Sequence, residues 1–208
     1  EWSNVEVVRT SCIDKFTLPF FEDFEKNENT GTKNNPDCWI SFFTESDNSY
    51  PDNSTTAYSG ERSVRVYTTK KDIRPYLVSQ EIDIDDLSKC QMSFYMRPTA
   101  TNKDLSLIIG TVSSIDSIAS TFVAMDTISV KMATATWEKH VISLEKYSKT
   151  AKYIAFSTAY ELNSNSNNGV YLDDITIELT PTCAKPDYFE LEDHTDKTIS
   201  LSFVHSGA

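Results

Sequence analysis

The chain has 208 residues, 39% of them hydrophobic and 12% aromatic, which suits one large β-domain or two small ones with a sizeable core. Its formal charge of −12, from 31 acidic against 19 basic residues, repels polyphosphate and an anionic membrane face, so nucleic acid is not an expected partner. No apolar run approaches the ~20 residues of a spanning helix, so no membrane insertion is expected.

The opening Glu1-Trp2-Ser3-Asn4 is polar and reads as domain sequence rather than a signal peptide, as in a trimmed secreted protein or a cytosolic one. In chain order, runs rich in Val, Ile, Phe, Tyr and Thr recur at 5–8, 19–24, 39–43, 63–67, 77–84 and 91–97. They continue at 105–112, 121–132, 137–144, 152–158 and 170–179, with Asn, Ser, Asp, Pro or Gly between them. Helical periodicity is nearly absent, and residues 144–149 are the best candidate for a turn of helix. Met92, Phe94 and Met96 point one way, and Ser93, Tyr95 and Arg97 the other. Leu105, Leu107 and Ile109 repeat the pattern. Strands that bury one face predict an all-β sandwich of two sheets, a jelly roll or a related fold, with little helix. The run 170–179 slips phase. Leu172 belongs to one side and Ile175, Ile177 and Leu179 to the other, so a β-bulge is expected at Asp173-Asp174, where it re-aims a carboxylate.

The ends differ from the middle. Residues 181–186 read as a linker. After it, 188–191 and 199–203 read as two short strands around an Asp193-His194-Thr195-Asp196 turn, resembling the start of a fibronectin type III domain. The expected organisation is a tail strand or linker over 1–12, a central domain over 13–180, and a linker with a truncated domain start over 181–208. The alternative is that both ends extend the central sheets. Cys12, Cys38, Cys90 and Cys183 form no CxxC pair, which weighs against structural zinc. They fit either two disulfides, in one of three pairings, or buried free thiols.

Seven ordered signals carry a family resemblance over roughly residues 18–183. They begin with Pro19-Phe20-Phe21-Glu22-Asp23-Phe24-Glu25, Pro36-Asp37-Cys38-Trp39 and Tyr58-Ser59-Gly60-Glu61-Arg62-Ser63. Leu77-Val78-Ser79, Ser93-Phe94-Tyr95, Tyr153-Ile154-Ala155-Phe156 and Leu172-Asp173-Asp174-Ile175 complete them, with Thr136-Trp137-Glu138 as a further match. In this order the chain resembles the cleaved-adhesin domains of secreted bacterial haemagglutinins and gingipain-type adhesins, jelly rolls related in pattern to MAM domains and galactose-binding-like sandwiches. The resemblance implies secretion or surface display within a larger multidomain chain. It implies a host extracellular protein or glycan as partner, and one structural calcium. The MAM pattern implies the pairs Cys12–Cys38 and Cys90–Cys183. In place of the adhesins' glycine-rich acidic loop stands Asp47-Asn48-Ser49-Tyr50-Pro51-Asp52-Asn53, which puts a second calcium site in doubt.

Calcium takes 6–8 oxygens from carboxylates, carbonyls and water. Glu25 at the end of the first strand and Asp174 at the bulge would supply charge, and Ser59 and Ser63 neutral oxygens. Asp173 is expected to face solvent. Residues 47–53 lack the Gly and terminal Glu of an EF-hand loop and read as a polar surface loop. Residues 163–168 read as a loop tip. Tyr50, Tyr58, Tyr160 and Phe43 are candidates for an exposed aromatic sugar platform, whereas Trp39 and Trp137 read as core. Asn53-Ser54-Thr55 is an N-glycosylation pattern without meaning in a bacterial protein. No H-E-x-x-H, G-x-S-x-G or phosphate loop is present, and His140, His194 and His205 lie apart. The expected function is non-catalytic binding, as an adhesin-type module stabilised by calcium. The alternatives are a carbohydrate-binding accessory domain of a secreted polysaccharide-degrading enzyme, or a structural spacer.

Overall fold

In the computed structural model, which describes residues 15–26, 35–43, 49–69, 74–101, 105–130, 134–147, 151–160, 168–181, 188–195 and 197–204, the apolar runs pair into two facing sheets. The strands are β1 (Lys15–Phe16), β2 (Phe20–Glu22), β3 (Ile40–Phe42), β4 (Tyr50–Ser54), β5 (Ser63–Thr68), β6 (Tyr76–Val78), β7 (Glu81–Ile82), β8 (Cys90–Pro98) and β9 (Leu105–Val112). A single helical turn, α1 (Ile118–Thr121), precedes β10 (Val123–Ser129), β11 (Glu138–Ser143), β12 (Tyr153–Tyr160), β13 (Asn168–Leu179), β14 (Tyr188–His194) and β15 (Ile199–Val204). One sheet has the order β10-β9-β12-β6-β3. The other runs β11-β8-β13-β5-β4, with β2 also paired to β13. β1 and β7 form a short parallel pair, and β14 and β15 form a separate hairpin.

Period-2 alternation explains the core. β8 alternates buried and half-buried residues along its whole length, and Met92, Phe94 and Met96 are fully buried. Leu107, Ile109, Phe156, Leu77 and Leu172 meet them from both sheets, and Phe94 packs edge-on against Phe156 at 5.9 Å. Each such side chain contributes about 1.5–3 kcal/mol by leaving water. Leu172 and Ile175 are both buried although they lie three positions apart, because the β13–β8 register shifts between Asp173 and Thr176. The expected bulge is therefore present.

The same bulge marks a change of partner. Along one edge β13 pairs with β8 on both sides of the bulge. Along the other it pairs with β5 over Asn168–Leu172 and with β2 over Ile175–Ile177. The loop entering β5 and the chain leaving β2 therefore meet at the bulge.

The two sheets differ outside. Over the five-stranded sheet, Ile118 and Phe122 pack on Tyr76, Val78, Val112 and Ala155. Gly110 permits this approach, since a Cβ there would collide with the Phe122 ring and the Val123 carbonyl. The outer face of the six-stranded sheet carries no such cover among the described residues.

Several expectations need correction. The polar loop read over 47–53 is largely a strand, β4, whose Tyr50, Pro51, Asp52 and Asn53 are buried; residues 47 and 48 lie outside the described part. Asp52 is buried because Arg65 forks onto it, Nε to Oδ1 at 2.9 Å and Nη2 to Oδ2 at 2.6 Å. Burial pushes the Asp52 carboxyl up, and the Arg65 guanidinium opposes that. Asn53 is buried with its amide donated to the Asn35 carbonyl, so it is no glycan acceptor on the surface. The run 77–84 divides into β6 and β7. The described part of 144–149 is a turn, and the α-helical turn lies at 118–121 instead. Of the 163–168 stretch only Asn168 is described, as the buried start of β13. Cys90 is a free, buried thiol, which removes the expected Cys90–Cys183 pair. Cys38 is disulfide-bonded, and the expected partners Cys12 and Cys183 lie outside the described residues. The strand read over 5–8 and His205 also fall outside it.

Candidate cation site and aromatic face

Two segments converge on the turn at residues 58–62. β2 delivers the first. Glu22 accepts from the Trp39 indole at 3.1 Å and from the Phe24 N–H at 2.8 Å, with burial pushing its carboxyl up. Phe24 then takes a left-handed conformation, φ 59°, which turns its ring into the core against Trp39 and directs the chain toward the turn. Glu25 follows, and its Oε1 accepts the Glu61 and Arg62 N–H groups at 2.9 and 2.8 Å. Gly60, at φ +58°, lies directly against this carboxylate. Left-handed backbone costs a non-glycine residue roughly 1–2 kcal/mol, so glycine at the turn is a physical requirement.

The bulge delivers the second segment. Asp174 is left-handed, φ 47°, and its Oδ1 accepts the Ser59 hydroxyl at 2.8 Å. Asp173 is fully buried, contrary to the expectation of a solvent-facing side chain. Its Oδ2 accepts the Tyr58 and Ser59 N–H groups at 2.7 and 3.3 Å, and its Oδ1 accepts the Asp174 N–H at 2.8 Å. Burial pushes its carboxyl up to about 6, against the pull of those three N–H groups. Alternation is ambiguous across a bulge, and it is the turn's N–H groups, not a local pattern, that draw Asp173 inward. Ser63, at the start of β5, is buried and donates its hydroxyl to the Thr56 carbonyl at 2.6 Å.

Glu25, Ser59 and Asp174 thus meet at one turn, with Ser63 at its exit. None of the salt bridges among the described residues involves Glu25, Asp173 or Asp174. The hydrogen bonds engage one oxygen each of Glu25 (Oε1) and Asp174 (Oδ1). Among the described residues no three His, Cys, Asp or Glu side chains gather as a metal-holding group. An ion here would need hydroxyl, carbonyl and water oxygens beside the two carboxylates, which is the mixed set that calcium takes.

Tyr58 links this turn to the open sheet face. Its ring stacks on Tyr95 at 3.5 Å, with 12° between planes, and stays 44% exposed. Trp137 meets Tyr58 edge-on at 6.0 Å and lies 6.4 Å from Tyr171. Register sets this out: Lys139 lies opposite Tyr95, Arg97 opposite Tyr171, and Tyr171 opposite Arg65. Lys139 stands over the Tyr95 ring at 5.8 Å, and Arg97 Nε donates to the Ala135 carbonyl at 2.9 Å, holding the segment that carries Trp137. Hydrogen bonding to Tyr95, then burial, raises the Tyr58 phenol above its usual range.

Of the candidates for a sugar platform, Tyr58 is at this surface. Tyr50 is buried edge-on against Tyr67, Phe43 packs on Tyr50, and the Tyr160 side chain lies outside the described part. Trp137, read as core, is half-buried in the aromatic group. The available signal was the outward phase of Tyr95 and Arg97. Which rings would join them depended on strand order.

No family model and no curated protein matches the chain. Solved structures do. The K2 cleaved adhesin domain of Lys-gingipain aligns at 16% identity with a TM-score of 0.58, covering 78% of this chain and 99% of that domain. The Spr0440 glycoside hydrolase domain of Endo-D from Streptococcus pneumoniae R6 gives 0.52 at 13% identity, over 90% of this chain but 33% of its own. A family 11 carbohydrate-binding module of the cellulase Lic26A-Cel5E of Clostridium thermocellum gives 0.50 at 11% identity, over 79% of this chain and 96% of the module. At these identities the likeness concerns fold. The chain is an antiparallel β-sandwich with the fold of the cleaved adhesin domains.

Proposed function

We propose that this domain is a non-catalytic, adhesin-type binding module. It is secreted or displayed at the cell surface, recognises a host protein or glycan, and carries one structural calcium held by Glu25, Ser59, Ser63 and Asp174 with neighbouring carbonyls. The observation that carries the binding role is the open six-stranded face, where Tyr58, Tyr95, Trp137 and Tyr171 gather at the surface instead of in the core. Aromatic rings with polar tips on a rigid sheet supply contact area at low ordering cost. The same face would serve a carbohydrate-binding accessory domain. The surface groove lined by Ser88, Lys89, Ser143, Glu145 and residues 179–181 offers one carboxylate, whereas glycoside hydrolysis requires a pair.

The calcium would neutralise Glu25 and Asp174 and tie β2 to the bulge of β13. Thermal unfolding with EDTA and with added calcium tests this. Chelation is expected to lower the melting temperature, and Asp174→Ala to abolish most of that response. An identical melt with and without EDTA refutes the ion. Wild-type protein on a glycan array and against matrix extract tests the binding role, and silence on both refutes it.

A further inference from the structure

We infer that the open face of the six-stranded sheet binds an acidic polysaccharide. Sugar rings would stack on Tyr58 and Trp137, and carboxylates would meet Arg97 and Lys139. This deepens the binding-module reading and rests on it. Two independent features point the same way.

The first is shape. The Tyr58–Tyr95 stack fixes one ring with an exposed face, and Trp137 stands edge-on beside it, so the pair forms a shallow corner on a flat surface. Extended peptides add to sheet edges, and amphipathic helices fill apolar grooves. The rings and cations here project from the face of the sheet, across β8, β13 and the edge strand β11, rather than along its hydrogen-bonding edge. A chain of sugar rings presents C–H faces that suit isolated aromatic stations, with hydroxyls toward Tyr171 and Tyr95.

The second is charge. In a chain with 31 acidic residues against 19 basic ones, Arg97 and Lys139 have no carboxylate partner among the described residues. Arg65, the next cation along the same face, is already committed to Asp52. Asp173, which accepts the Tyr58 N–H, is buried beneath the turn, and Asp174 accepts the Ser59 hydroxyl there. Two unpaired cations beside exposed rings match a ligand that alternates apolar faces with negative charge. A neutral glycan would leave both cations unused.

Isothermal titration with polygalacturonate and hyaluronan oligosaccharides, each beside its carboxyl-reduced neutral counterpart, tests the inference. Binding to at least one acidic probe is expected, weakening with salt, and at least about tenfold tighter than to its neutral counterpart. Trp137→Ala should abolish it. Lys139→Gln, a change at an exposed side chain, and Arg97→Gln should each weaken it severalfold, with urea midpoints confirming folded protein. No binding to either acidic probe, equal binding of acidic and neutral forms, or indifference to all three substitutions overturns the inference. A neutral glycan or matrix protein whose capture depends on Trp137 would overturn the acidic ligand while leaving the binding module intact. Absence of any ligand on array and extract would remove both.

Discussion

Replacing Gly60 by alanine tests the turn that joins β2, β5 and the bulge. Two costs are expected. Alanine at φ +58° carries the left-handed penalty of roughly 1–2 kcal/mol. Its Cβ would also overlap the Glu25 carboxylate and stand 2.9 Å from Oε2. Glu25 would have to swing away and release the Glu61 and Arg62 N–H groups. Because that turn is exposed, water replaces part of the loss, so the two bonds together are worth about 1–2 kcal/mol. The sum is about 2–4 kcal/mol, a fall of roughly 5–15 °C in melting temperature for a chain of this size. Urea unfolding of four proteins, wild type, Gly60→Ala, Glu25→Ala and the double variant, separates the terms. All should be measured in chelator, so that an ion does not enter the comparison. In the Glu25→Ala background, Gly60→Ala should cost only its backbone part. If the alanine costs the same in both backgrounds, or less than about 1 kcal/mol in the wild type, the contact between Gly60 and Glu25 does not hold the turn and the reasoning fails.

Arg65→Ala should destabilise by about 3 kcal/mol in urea, because it leaves the Asp52 carboxylate buried without its partner. A cost below about 1 kcal/mol would mean that water reaches Asp52. Burial holds the His140 imidazole, stacked on Phe94, below its ordinary value of 6.5. The unfolded chain therefore binds a proton that the folded chain refuses as pH falls below 6.5. The stability that His140 contributes is complete above that value and is lost as pH falls through the lowered folded value. Asp173, pushed up to about 6, acts in the opposite sense, so the readout is the difference between wild type and His140→Leu at pH 7.5 and at pH 5. A difference that does not change with pH would place His140 in water.

Much of the architecture was legible in the order of residues, because alternation is local. Met92, Phe94 and Met96 announced the buried face of β8, and the slip from Leu172 to Ile175 announced the bulge. The site was legible only in outline. Glu25 and Asp174 stand out as acidic residues at strand ends, but nothing local marks Asp173 as buried. The strand β4 was hidden because its sequence, Tyr-Pro-Asp-Asn-Ser, has loop composition. It becomes a strand because Arg65, on the neighbouring β5, neutralises Asp52 in place. The aromatic face was hidden for the same kind of reason. Tyr58 and Tyr95 stack although 37 positions apart, and Trp137 reaches Tyr58 from the segment just before β11. Side-chain direction within a strand follows from its own few residues, through the period of two. Which strands become neighbours, and therefore which rings and charges share a surface, depends on contacts between distant segments that no local pattern encodes.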